Sequence, residues 1–210
     1  MRLGALVYND FELLDLYGPL EMFGTLREQI EIVTIAEQAG AVRSYQGPQT
    51  VAEFGFEDAP PCELLLLPGG LGTIPELENR KLLEYLRKAA LTAQQVMSVC
   101  SGSALLAKAG LLDGRRATSN KMFFDLARSQ SDKVQWVEAA RWVDDDPFVT
   151  SSGVSAGTDM ALAVIAKLFG TEAAEQVARY TEYQWHQDAD DDPFVQYLNQ
   201  APVDASGTTV

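Results

Sequence analysis

Cys100 stands where the apolar run VMSV (96–99) gives way to the alanine-rich SGSALLAKAGLL (101–112), at a junction between a strand and a helix. A helix starting there aims unpaired N–H groups and the positive end of its dipole at the sulfur, which favours thiolate and lowers the thiol pKa. Gly102 permits the tight turn that exposes a nucleophile in other folds. Two further segments end apolar strands at the same side of a parallel sheet, where ligands gather. After LLLLP come Gly69 and Gly70, whose backbones allow close approach and whose N–H groups suit a developing anion. After the first strand comes Asp15, a carboxylate among large apolar residues in LLDLYGP. Beside a thiol in such surroundings its pKa rises and it serves as general acid or base; on its own it reads equally as a helix cap or dipole partner. The chemistry in view is nucleophilic attack by a cysteine with a carboxyl moving the proton.

Other chemistries find little support. Gly70 and Gly72 open a G-x-G-x-x-G pattern, but Pro75 occupies its last position, so no dinucleotide fingerprint remains. With one histidine and two cysteines, zinc would need mostly carboxylate ligands, and no metal or cofactor is expected. The hexapeptide DDDPFV occurs at 144–149 and 190–195; lacking the glycine and terminal glutamate of a calcium loop, it reads as two solvated acidic turns. Sixteen Lys and Arg against thirty Asp and Glu leave a net charge of −14, which disfavours nucleic acid and anionic membranes as partners. The beginning lacks a leader pattern and no apolar run approaches membrane-spanning length, so a cytoplasmic protein with reduced thiols and a small-molecule substrate is expected.

The elements that must position these groups follow from periodicity. RLGALVY, IEIVTIA, CELLLL and QQVMSV read as strands; FELLDLYGPLEMFGTL, with Leu13, Leu16, Leu20 and Phe23 on one stripe, and IPELENRKLLEYLRKAALTA read as helices between them. SGSALLAKAGLL is a helix stopped by Gly110 or Gly114, and RRATS a short strand. Beyond 130, short strands in KVQWVEAARWVDDDPFVTSSG precede a helix over SAGTDMALAVIAKLFG capped by Ser155 and another over TEAAEQVARYTEYQWHQ. Alternating strands and helices predict an α/β fold with a mostly parallel sheet covered on both faces. A single domain is expected over 1–187, followed by an acidic and polar tail over 188–210 whose last ten residues fray.

LDLYGPLEMF, LLLLPGG, VCSGSALLAKAGLLDGRRATS and TSSGVSAGTDMALAVIAKLFG, in this order, resemble the ThiJ/PfpI family of the class I glutamine amidotransferase-like superfamily. Within it they look most like the isonitrile hydratase subgroup, over about residues 2–185. The resemblance implies a flavodoxin-like three-layer sandwich with a nucleophile elbow, a homodimer, Cys100 as the reactive centre and Asp15 touching it. Ser101 stands where isonitrile hydratases commonly carry threonine. The implied reaction adds water to an isonitrile to give an N-substituted formamide, with Asp15 as proton shuttle and backbone N–H groups of Gly70 and Ser101 holding charge. Gly69, Tyr17, Ser119 and Asn120 are expected around the pocket.

One departure bears on the chemistry. Protease-like and deglycase-like members place histidine directly after the cysteine or near it following the ATS strand, and here those positions are Ser101 and Asn120. His186, in EYQWHQD, reads as a structural residue at the end of a surface helix. Without a histidine to protonate a leaving amine, amide hydrolysis is disfavoured. Glyoxalase-like or deglycase-like carbonyl chemistry, and a cysteine-based redox or ligand sensor, are the alternatives. Cys62 reads as a small residue at a strand start.

Overall fold

A computed structural model describes residues 1–200; the expected frayed end, 201–210, lies outside them. The chain runs β1 (Arg2–Leu6), α1 (Leu13–Gly24), β2 (Glu31–Ala36), β3 (Gly40–Arg43), β4 (Gln49–Ala52), β5 (Phe54–Gly55), β6 (Leu64–Leu67), α2 (Thr73–Glu76) and α3 (Arg80–Ala90). It continues through β7 (Gln95–Ser98), α4 (Gly102–Lys108), β8 (Arg116–Ala117), α5 (Phe124–Arg128), β9 (Gln135–Trp136), β10 (Trp142–Asp145), β11 (Phe148–Ser151), α6 (Ala156–Phe169) and α7 (Thr171–Tyr180).

Seven strands form the central sheet in the order β10-β11-β7-β6-β1-β2-β5. All pairings are parallel except β10 with β11. Every residue of β6 and β7 is buried, which is why β6 reads as an unbroken apolar run and β7 carries apolar Val96 and Met97 between Gln95 and Ser98: helices cover both faces. The result is the flavodoxin-like α/β sandwich. β1, β6, β7 and β11 end side by side, so the loops after them share one edge of the molecule.

Several local expectations give way to tertiary detail. The stretch 74–93 is two helices, because Asn79 takes an extended conformation and its side chain accepts from Lys81 and Leu82 N–H, starting α3 afresh. Ser155 precedes α6 but makes no side-chain capping bond. The helix expected through His186 ends at Tyr180, since Tyr183 OH, Trp185 Nε1 and His186 N–H all bond to Asp159 of α6, at 3.1, 3.2 and 2.9 Å, pulling the chain out of helical register. The hairpin of β3 and β4 carries no strong alternation and was not expected. Among the described residues no helix is long and apolar enough to cross a membrane.

In the second DDDPFV segment the expectation of a solvated turn fails at Asp192 alone, the other five residues being exposed. Asp192 is 2% exposed and lies between Lys121 and Arg141, with ion-pair distances of 3.4 and 3.8 Å. Its backbone N–H also bonds to Ala139 O at 3.0 Å. An acidic run becomes a strap because two buried cations need counter-charge.

Candidate active site

The turn after β7 is strained at the cysteine itself. Cys100 has φ +57°, the left-handed region, at a cost of order 1–2 kcal/mol for a non-glycine residue. Its conformation is held by its backbone: N–H donates to Ser152 O at 2.9 Å, and the carbonyl accepts from Ser103 and Ser119 hydroxyls at 3.2 and 3.1 Å. Gly102 contributes by close approach, since a Cβ there would lie 2.6 Å from Leu67 O. Cys100 is thereby fixed at 5% exposure.

Asp15 comes from the first turn of α1 and is fully buried. Its side chain caps nothing in its own helix. Oδ2 accepts from Gly69 N–H at 2.8 Å, while Oδ1 has no hydrogen-bond partner. Burial drives its pKa well up, and the hydrogen bond from Gly69 N–H, with a smaller effect of the neighbouring Cys100 thiol, only partly offsets this. Gly69 is the point where three segments meet: a Cβ on it would sit 2.6 Å from both Ser101 N and Ser101 Oγ and 3.0 Å from Asp15 Oδ2.

The thiol departs from expectation. Burial, and then the charge of Asp15, push the Cys100 pKa well above its ordinary value, and the Ser101 N–H and Asn120 amide that favour thiolate do not compensate. The dipole of the seven-residue α4 is too weak to win in a site that excludes water. Burial disfavours the charged form of both groups, so the two titrate as a coupled pair.

The other expected residues divide. Asn120 Nδ2 donates to Cys100 Sγ at 3.1 Å, and its Oδ1 accepts from Met122 and Phe123 N–H at 2.9 and 3.2 Å, which fixes the amide so that its nitrogen faces sulfur. Ser119 supports the Cys100 carbonyl. Gly70, at φ +121°, donates its N–H to Ser101 Oγ at 3.0 Å, so the backbone donor that faces sulfur is Ser101 N–H. Ser101 Oγ also pairs with Thr73 Oγ1 at 2.9 Å, and Thr73 with Tyr8 OH at 3.0 Å, a relay that no sequence spacing indicated. Tyr17 is 44% exposed, with its hydroxyl on Thr50 at 2.8 Å. His186 pairs through Nε2 with Asp191 O at 3.0 Å and is half-buried.

An α/β sandwich with a buried cysteine at a strained elbow after a central strand, and a buried carboxyl from the first helix facing it, defines a class of cysteine-elbow proteins. Within that class the chain belongs to the DJ-1/PfpI family, whose profile matches residues 1–167. It is 32% identical to an isonitrile hydratase of Pseudomonas putida over 188 residues, 87% of this chain and 78% of the hydratase. It is 28% identical to the HTH-type transcriptional regulator GbdR of Pseudomonas aeruginosa over 87% of this chain, which spans only 50% of that regulator. A solved ThiJ/PfpI family protein from Pseudomonas syringae matches it with a TM-score of 0.79 and 33% identity, covering 92% of this chain and 77% of that one.

Proposed function

We propose that the protein is a hydratase that adds water to isonitriles through Cys100, giving N-substituted formamides. The observation that carries this reading is the Asp15–Cys100 pair with no histidine against it. An isonitrile, R–N≡C, needs a nucleophile and a proton at its terminal carbon and expels no amine, so one shared proton suffices. Asp15 takes the thiol proton as sulfur bonds to the terminal carbon, then delivers it to that carbon, leaving a thioimidate, S–CH=N–R. Asp15 next accepts a proton from water as the hydroxyl adds to the same carbon, and passes it to nitrogen. Collapse of the S–CH(OH)–NHR intermediate breaks the C–S bond, returns the hydroxyl proton to the Asp15–Cys100 pair and releases HC(=O)–NHR. Ser101 N–H and Asn120 Nδ2 hold the sulfur as charge leaves and returns. The atoms sum to one isonitrile and one water in, one formamide out.

The test is formamide formation from phenyl isonitrile by the wild type, Cys100→Ala and Asp15→Asn. Turnover by the wild type alone supports the reading; equal turnover by Cys100→Ala removes it. A second reading, a ligand sensor without turnover, is supported by the likeness to a transcriptional regulator, while the raised pKa of the buried thiol counts against the redox form of a sensor. It gains if no isonitrile is consumed while a small molecule still binds at the elbow. A homodimer in the cytoplasm is part of the same proposal, and sedimentation of the purified chain tests its oligomeric half.

A further inference from the structure

A cavity of ≈ 200 Å³ opens beside the elbow. Two of its lining residues touch Cys100: Asn120 through Sγ and Ser152 through the backbone. Its lining includes the apolar side chains of Met122 and Val154 and the rings of Phe194 and Tyr197, with Lys121, Arg141 and Asp192 at what we call its base. The two cations of the base already face Asp192, and Arg141 also binds Asp159 through Nε at 2.7 Å. They present no spare charge for an ionic guest. Phe194 and Tyr197 belong to a single 3₁₀ turn, Pro193–Tyr197, begun by Asp192, whose side chain accepts from Phe194 N–H at 3.0 Å. Beyond that turn Asn199 N–H bonds to Lys121 O at 2.8 Å, and Asn199 Oδ1 accepts from Asp125 N–H at 3.0 Å. The outer wall is therefore fastened at both ends, and the two rings, 51% and 44% exposed, face a cavity instead of filling it. An apolar cavity of roughly 150 Å³ takes a benzene-sized guest.

We infer that this cavity receives the uncharged, ring-sized organic substituent of the molecule that reacts at Cys100, and that Phe194 and Tyr197 determine specificity for it. The inference rests on Cys100 being the reacting atom and names the substrate class for the proposed hydratase. The DPF segment then has a part: the buried aspartate anchors, the proline starts the turn and the phenylalanine forms the wall.

Two assays separate this inference from the isonitrile reading. The first compares kcat/KM for phenyl and methyl isonitrile in the wild type, Phe194→Ala, Tyr197→Ala and the cavity-filling Val154→Phe. The second compares alkylation of Cys100 by N-phenyl and N-methyl chloroacetamide at pH 9, followed by mass spectrometry and normalised to a free thiol. The wild type should prefer the phenyl reagent by about 10-fold or more in each, as contacts in an apolar pocket allow, and each variant should bring the ratio to within about 3-fold of unity. If no isonitrile is consumed but the alkylation preference is present and lost in the variants, the hydratase reading fails and the pocket stands. The inference is overturned by a wild-type ratio near unity, by ratios that the variants leave unchanged, or by a Cys100 that neither chloroacetamide reaches.

Discussion

Asp15 and Cys100, 85 positions apart in the chain, are held in one buried site by Gly69, whose N–H binds the carboxyl and whose missing side chain lets Ser101 and Asp15 close on it. Burial raises the pKa of both groups, and the charge of Asp15 raises that of Cys100 further, so the stability and the reactivity of the site are coupled through this pair.

Asp15→Asn should strongly reduce activity without weakening the fold. The amide oxygen still accepts from Gly69, while loss of the charge removes a desolvation penalty. The raised folded pKa of Asp15 means its contribution to stability is greatest below the unfolded carboxyl value, about 3.9, and is lost as pH rises through the folded value. At pH 7 the variant should therefore melt at or above the wild-type temperature, with the gap narrowing towards pH 4, while kcat/KM falls about 10²–10⁴-fold. A variant that melts several degrees lower at pH 7 would contradict this.

The same substitution should make Cys100 more reactive towards a simple alkylating agent. The charge of Asp15 is the second cause of the raised thiol pKa, so its removal increases the thiolate fraction at pH 8. Iodoacetamide labelling with peptide mapping should find faster modification of Cys100 in Asp15→Asn. Cys62, raised to about 11 chiefly by burial and away from Asp15, should keep its rate and serves as the internal reference. Slower Cys100 labelling would mean that Asp15 activates the thiol in the resting protein.

Asn120 separates support from structure. Asn120→Asp keeps an oxygen for Met122 and Phe123 N–H but replaces the donor at Sγ with a charge, so the fold should hold while Cys100 labelling slows and turnover drops at least 10-fold. Asn120→Ala should also lose the turn bonds, costing about 1 kcal/mol. Thermal melts beside labelling rates distinguish the two; identical behaviour would remove the directed role of Nδ2.

Lys121→Met should destabilise strongly, since the side chain is 2% exposed and serves as a counter-charge. Removing it strips Asp192 of its nearer cation and leaves a buried carboxylate facing Arg141 at 3.8 Å, a loss of about 3–5 kcal/mol by urea unfolding. The double change Lys121→Met with Asp192→Asn should recover part of it. Additive losses would show that the two do not interact.

The strands and the elbow were legible in the chain because buried parallel strands are written as continuous apolar runs, and Cys100 breaks one of them at its end. LLLL and VMSV, the helix stripe of Leu16 and Phe23, and the places of Cys100, Asp15 and Gly69 are all visible in composition and period. Residue order was enough to establish which groups end at one edge of the sheet and that no histidine stands next to the cysteine. How those groups behave depends on packing. The helix dipole acts on the thiol in the direction its position suggests, yet desolvation outweighs it, and desolvation is a property of everything packed around Cys100. The same holds for Asp192: in the chain it is the third residue of an acidic run that local reasoning leaves in water. The fold buries it because Lys121 and Arg141, 71 and 51 positions away, need a counter-charge. Burial and long-range pairing are sums over neighbours distant in sequence, and no window of residues contains them.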